Sequence, residues 1–245
     1  MRRVKILSLL SLALFWASPA FAMHISEGIL PLNWALFWGV VVLPFVAFGI
    51  WRIRQWRKTD PAIFPLIALF GAAVFVFSCF PIPVPIAGST SHPAGTALTA
   101  ILLGPSVSVV IALVALLLQA LFLAHGGLTT LGGNLFSMGL LGSFCGMAAF
   151  WVGRKIGLRL FWAGFAAGMI SDLATYFGTA LQLALALHGD ESIVAVFTRI
   201  YLAFMPTQIP LSLLEGVVIG GLLVYIERHR PDILLKLKVI RQERS

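Results

Sequence analysis

Cysteine and charge are both scarce in this sequence. The only two cysteines, Cys79 and Cys145, each lie inside an apolar run. That placement argues against a disulfide or a thiolate metal site and suits small buried hydrophobes. Charged residues make up 11% of the 245, against roughly 25% in an ordinary soluble domain. No G-x-x-x-x-G-K-[ST] phosphate loop occurs, so any ATP energy must come from another chain. The H-E-x-x-H and G-x-S-x-G patterns are missing too, and with them the main motif-based reasons to expect an enzyme.

Apolar residues, by contrast, make up 60% of the chain, and the mean hydropathy is +0.99, which describes a polytopic membrane protein. The net charge of +8 does not form one basic face of the kind that binds nucleic acid; the cations fall in short clusters between apolar runs. The first 22 residues combine a basic start (Arg2, Arg3, Lys5), an apolar stretch from Ile6 to about Trp16 and a small-x-small Ala20-Phe21-Ala22. This is the pattern of a secretory signal whose removal leaves Met23 as the amino terminus, outside the cytoplasm. The competing reading, an uncleaved first span, suffers from an apolar core short of the roughly 20 residues a crossing needs.

Five further segments, about 33–51, 62–80, 134–152, 160–187 and 203–225, have the length and composition of spans. Cationic clusters orient them, because cytoplasmic loops collect Lys and Arg. Arg52, Arg54, Arg57 and Lys58 follow the first span, and Arg154, Lys155 and Arg159 follow the 134–152 span. The chain between Pro81 and Gly133 must then begin and end outside. Its apolar length predicts two crossings, with Gly104-Pro105 as the inner turn of a helical hairpin. The expected architecture is all-α, with seven transmembrane helices in one membrane domain over 23–245, the amino terminus outside and a short basic tail in the cytoplasm. Every Lys and Arg after position 22 falls inside except Arg199, which is expected in an outer loop beside Asp190 and Glu191.

The candidate chemistry lies on the outer face. A chain beginning Met23-His24 offers three nitrogens from two residues: the free amine, the next amide nitrogen and the imidazole Nδ1. Together they close fused five- and six-membered rings on one divalent ion. A fourth nitrogen would complete a tetragonal site. His92, in Gly88-Ser89-Thr90-Ser91-His92-Pro93-Ala94-Gly95 after the proline-rich 81–85 stretch, could supply it; it could equally be an interfacial histidine with a satisfied hydrogen bond. Ser91, His125 and Asn134 are candidate supporting groups, the latter two in the glycine-rich 124–134 loop. Asp172 and Glu215 are ionisable groups inside spans, where function is the default expectation, although hydrogen bonding across helices or a partner contact would also explain them. Gly142/Gly146, Gly164/Gly168 and Gly216/Gly220 permit close packing, either within the bundle or against a membrane partner.

The segment Met23-His24-Ile25-Ser26-Glu27-Gly28 resembles the mature start of the CbiM/NikM family, the cobalt- and nickel-specific substrate-capture components of energy-coupling-factor transporters. The Gly88–Gly95 loop, the Leu102-Leu103-Gly104-Pro105 turn and Gln119 through Asn134 resemble further stretches of that family, in order along nearly the whole mature chain. The resemblance implies a seven-helix bundle whose amino terminus tucks into a central cavity, with the metal held by Met23 (amine), His24 (amide and imidazole) and His92 (imidazole). It implies Co²⁺ or Ni²⁺ as transported substrate, with a modest tilt to cobalt, and no catalytic cofactor. It also implies a membrane coupling subunit, two ATPase subunits and a small accessory membrane subunit as partners, in the bacterial inner membrane. A membrane metal sensor or assembly factor that binds the ion without moving it is the alternative function.

Overall fold

The computed structural model describes residues 24–79, 82–84 and 89–240; the proposed signal, 1–22, and Met23 lie outside them. The described chain is helical apart from one short ribbon. Helix α1 (Leu32–Thr59) is followed by α2 (Ile63–Ser78), by strands β1 (Ile82–Val84) and β2 (Ser89–Ser91), and by the short α3 (Thr96–Leu103). Then come α4 (Pro105–Phe122), α5 (Leu131–Lys155), α6 (Leu160–Leu187), α7 (Ile193–His229) and α8 (Pro231–Lys236). The two strands pair antiparallel, with Ile82 opposite Ser91.

The bundle is apolar outside and partly polar inside, the reverse of a soluble protein. On α1, Leu36, Val40 and Leu43 recur at helical spacing and are exposed, while Ala35, Trp38 and Val42 face inward. The interior carries a chain of hydroxyls: Thr99 Oγ1 lies 2.6 Å from Ser108 Oγ, to which Ser143 Oγ donates at 2.8 Å. A hydrocarbon solvent explains both halves of this pattern, since outward apolar groups cost nothing there and polar groups must find partners within the protein.

Five helices, α1, α4, α5, α6 and α7, are long and apolar enough to cross a membrane. Helix α2 has 16 residues. Helix α3 differs from the expected full crossing: its eight residues, all buried, extend only about 12 Å, and the chain reverses at Gly104, whose φ of +85° is open to glycine. The hairpin predicted around Gly104-Pro105 therefore pairs a half-length helix with a full-length one. Helix α7 starts earlier than expected, so Arg199 sits on a helix and not in a loop, paired with Glu191.

The small-residue spacings serve the bundle itself. A Cβ on Gly164 would lie 3.0 Å from the Gly220 Cα, and one on Gly168 would lie 2.8 Å from the Glu215 carbonyl oxygen, so α6 and α7 touch backbone to backbone. Gly142 and Gly146 likewise bring α5 against α3 and α6. Two ends result. One gathers residues 24–30, the 92–95 segment and the 124–130 loop. At the other, Arg52, Gly104, Arg154, Lys155 and Lys236 line a common cavity of about 1060 Å³.

Candidate metal centre

Three histidines meet at the first of these ends. The ring centroids of His24 and His92 are 4.9 Å apart, those of His24 and His125 4.9 Å, and those of His92 and His125 5.1 Å. One nitrogen from each can be chosen so that all three lie within 4.8 Å of one another. His24 and His92 are buried and His125 is partly so.

Each member is placed by a different element. The 24–30 segment is gripped through the backbone of Ile25. Asn134 Oδ1 accepts the Ile25 amide at 2.7 Å, its Nδ2 donates to the Ile25 carbonyl at 3.0 Å, and Thr130 Oγ1 donates to that carbonyl at 2.6 Å. Thr130 and Asn134 can share this task because residues four apart at the start of α5 lie on one face. The Glu27 carboxylate accepts the Thr129 amide, and a side chain at Gly127 would run into Glu27. His125 follows Ala124, whose φ of +49° is unusual for a residue with a Cβ, and its Nε2 finds no hydrogen-bond partner among the described residues.

The hydrogen bonds fix which nitrogens are free. Ala112, Ala115, Leu116 and Gln119 form the buried face of α4. At its end Gln119 Nε2 donates to the Ser78 carbonyl at 3.0 Å, leaving Oε1 to face His24 Nε2 at 3.0 Å. The amide oxygen only accepts, so His24 carries its proton on Nε2 and keeps a lone pair on Nδ1. His92 Nδ1 lies 3.1 Å from the Pro93 carbonyl and must donate to it, which leaves the lone pair on His92 Nε2, 3.2 Å from His24 Nε2, to accept from the N–H that His24 also gives to Gln119. Burial, then the neighbouring His92 and His125, holds His24 well below the usual histidine range. Burial first, then His125, brings His92 down to about 3, and burial lowers His125. The cluster is thus neutral near pH 7, the state in which imidazole binds metal.

The site brings together His24, His92, His125 and Asn134 among the residues read from sequence. His125 stands level with the other two imidazoles and is not merely peripheral to them. Met23 lies outside the described residues, and Ser91 is placed only as the end of β2. Asp172 and Glu215 lie off the triad, where Glu215 accepts the amides of Ala94 and Gly95. Asp172 is buried within electrostatic reach of Glu215, and neither carboxyl oxygen has a hydrogen-bond partner among the described residues. Gln119 and Thr130 were not singled out from sequence. Gln119 had a signal: it is the only polar side chain in α4 after Ser108.

Comparison with known proteins gives the chain a family. Residues 24–233 match the CbiM family, described as "Cobalt uptake substrate-specific transmembrane region". A cobalt transport protein CbiM of Sorangium cellulosum is 52% identical over 219 residues, covering 89% of this chain and 97% of that one. Its namesake in Geobacter sulfurreducens is 52% identical over 228 residues, 93% of this chain and 66% of the longer relative. A crystal structure described as a truncated transition metal transporter shares the fold, with a TM-score of 0.72 at 24% identity, covering 84% of this chain and 99% of that one. With nearly the whole described chain inside the family match and half its residues shared with named transport proteins, the chain belongs to the CbiM family of substrate-specific membrane components for cobalt uptake.

Proposed function

We propose that this chain captures Co²⁺ at the outer face of the bacterial cytoplasmic membrane and holds it between its processed amino terminus and His92. The observation that carries the reading is the contact of Gln119 Oε1 with His24 Nε2 at 3.0 Å. Gln119 occupies Nε2 and so leaves Nδ1, the nitrogen that a chelate through the terminal amine and the residue-24 amide requires. In this reading cleavage after Ala22 frees the Met23 amine. The amine, the His24 amide nitrogen, His24 Nδ1 and His92 Nε2 then form a nitrogen-rich tetragonal set, with His125 beside it. Ni²⁺ suits the same donors and is the alternative cargo.

Transport then requires partners of the energy-coupling-factor type: a membrane coupling subunit, two ATPase subunits and a small accessory membrane subunit. The chain's own lack of a phosphate loop supports this division of labour. The basic end, where Arg52, Arg154 and Lys236 gather, faces the cytoplasm in this topology.

The test is metal content of the purified protein alongside amino-terminal sequencing. A Met-His terminus and one Co²⁺ per chain, bound far more weakly in His92→Ala, are the expected results. A terminus at Met1 with undiminished cobalt would sink the chelate. Uptake into cells with and without the ATPase partners separates an importer from a protein that only binds.

A further inference from the structure

Glu215 lies in α7, 123 positions along the chain from His92, yet one peptide group joins them. The peptide between Pro93 and Ala94 presents its N–H to Glu215 Oε2 at 2.8 Å and its carbonyl oxygen to His92 Nδ1 at 3.1 Å. The other carboxylate oxygen, Oε1, accepts the Gly95 amide at 2.9 Å. Both oxygens are thus used, on consecutive amides, by a side chain only 1% exposed. No ion pair to Glu215 occurs among the described residues. A buried carboxyl without a counter-cation is costly, so its use is to be sought in what it holds.

We propose that Glu215 is a positioning residue for the metal site, acting on His92 through the Pro93–Ala94 peptide. Two effects follow from the geometry. The two-point grip fixes the plane of that peptide, and with it the direction in which His92 Nδ1–H must point and the place where Nε2 emerges. The carboxylate also polarises the peptide it grips, which strengthens the carbonyl as an acceptor for Nδ1–H and makes Nε2 a better donor to a cation. Metal-binding histidines commonly lean on a carboxylate or a carbonyl; here the two stand in series. The arrangement also ties the site to α7, so that α7 cannot slide without drawing the His92 segment with it.

This rests on His92 being a ligand, and a double-mutant cycle separates the two claims. The measurements are Co²⁺ affinity and the ligand-field spectrum of bound Co²⁺ in purified, processed protein. Glu215→Gln places an NH₂ against an amide N–H and removes the charge, so affinity should fall by about 10- to 100-fold with a shifted spectrum. In a His92→Ala background the same substitution should change the residual affinity by less than about threefold, because the group it acts through is gone. Losses that multiply in the double variant, or a Glu215→Gln protein with wild-type affinity and spectrum, would overturn the proposal. If Glu215→Gln fails to accumulate, Glu215→Asp, which keeps the charge but shortens the reach, enters the same cycle with the same criteria. If His92→Ala alone leaves affinity unchanged, the ligand assignment itself fails and the proposal falls with it.

Discussion

At the histidine end, His24, Thr130 and Asn134 are buried and held by named partners, whereas at the opposite end cations line a cavity of about 1060 Å³. The histidine end has the grip of Asn134 and Thr130 on Ile25 and the Gln119 bond to His24. The basic end is formed by Arg52, Arg154, Lys155, Lys236 and Lys238, with Glu227 the one anion among the lining residues. The difference teaches which end is preorganised. A site that must select one ion gains from groups fixed beforehand, since little has to be ordered on binding. A wide cationic cavity disfavours a divalent cation and leaves room for rearrangement or for other chains.

Perturbing the two ends should therefore give very unequal effects. The largest is expected at the terminus that the proposed cleavage would create: acetylating a Met23 amine deletes a nitrogen while leaving every side chain in place, and bound cobalt should fall by more than about 100-fold, beyond the loss typical of groups that only support ligands. Unchanged metal content would exclude the amine and turn attention to His92 with His125. Insertion of one alanine between Ala22 and Met23, with cleavage still after Ala22, moves histidine to third position. There the amine, two amides and imidazole can fill a tetragonal plane alone, so dependence on His92 should disappear, as a comparison with His92→Ala would reveal.

Next in size is Gln119→Leu, which removes the acceptor that holds His24 Nε2–H; roughly tenfold weaker binding is expected by isothermal titration. The effect of pH runs through the same histidines. Burial lowers His24, His92 and His125, so the unfolded chain binds more protons than the folded one below the ordinary histidine value of about 6.5. The stability of this end is complete above that value and is lost as pH falls toward about 3, where His92 protonates. Protons compete with the metal in the same direction, and cobalt release on acidification should be steepest inside this window. The smallest effect is expected at the far end: Lys155→Gln should change cobalt affinity by less than about twofold, because exposed charges are screened over such distances. A large loss there would dissolve the contrast between the ends.

Much of this was legible in the sequence, and for unequal reasons. Helix α6, Leu160–Leu187, coincides with the span read from composition because both of its ends are marked, by Arg159 before it and by His188-Gly189 after it. His24 and His92 stood out as candidates for different reasons. His24 did so because a second-position histidine can chelate with the amine and amide beside it. His92 did so chiefly because the family resemblance joins it to that set, since the loop alone leaves an interfacial histidine equally open. For helix α3 the expected crossing and the structure differ: the Thr96–Leu103 run reads as apolar enough for one arm of a hairpin, but its eight residues fall well short of the roughly 20 a span needs. The grip on Ile25 was invisible because it acts on backbone atoms, which carry no sequence signature. Gln119 was hidden by the same logic of contact at a distance, for its meaning depends on Ser78 and His24 arriving from elsewhere in the chain.

Beyond Asn134, α5 runs as a π-helix from Leu135 to Gly142 before returning to α-helical form at Ser143. Such a stretch carries more residues per turn than an α-helix and often lies beside a functional site. It sets the rotational phase between the two parts of α5: Thr130 and Asn134 face Ile25, while Ser143 and Gly146 face the interior packed by α3 and α6. One residue of an α-helix turns the chain by about 100°. A π-helix turns less per residue, so forcing residues 135–142 into regular α-helical winding at unchanged length would over-rotate the chain and swing Asn134 away from Ile25. A change of winding alone, neutral to any measure of composition, would be enough to release the 24–30 segment that brings His24 to the other two imidazoles.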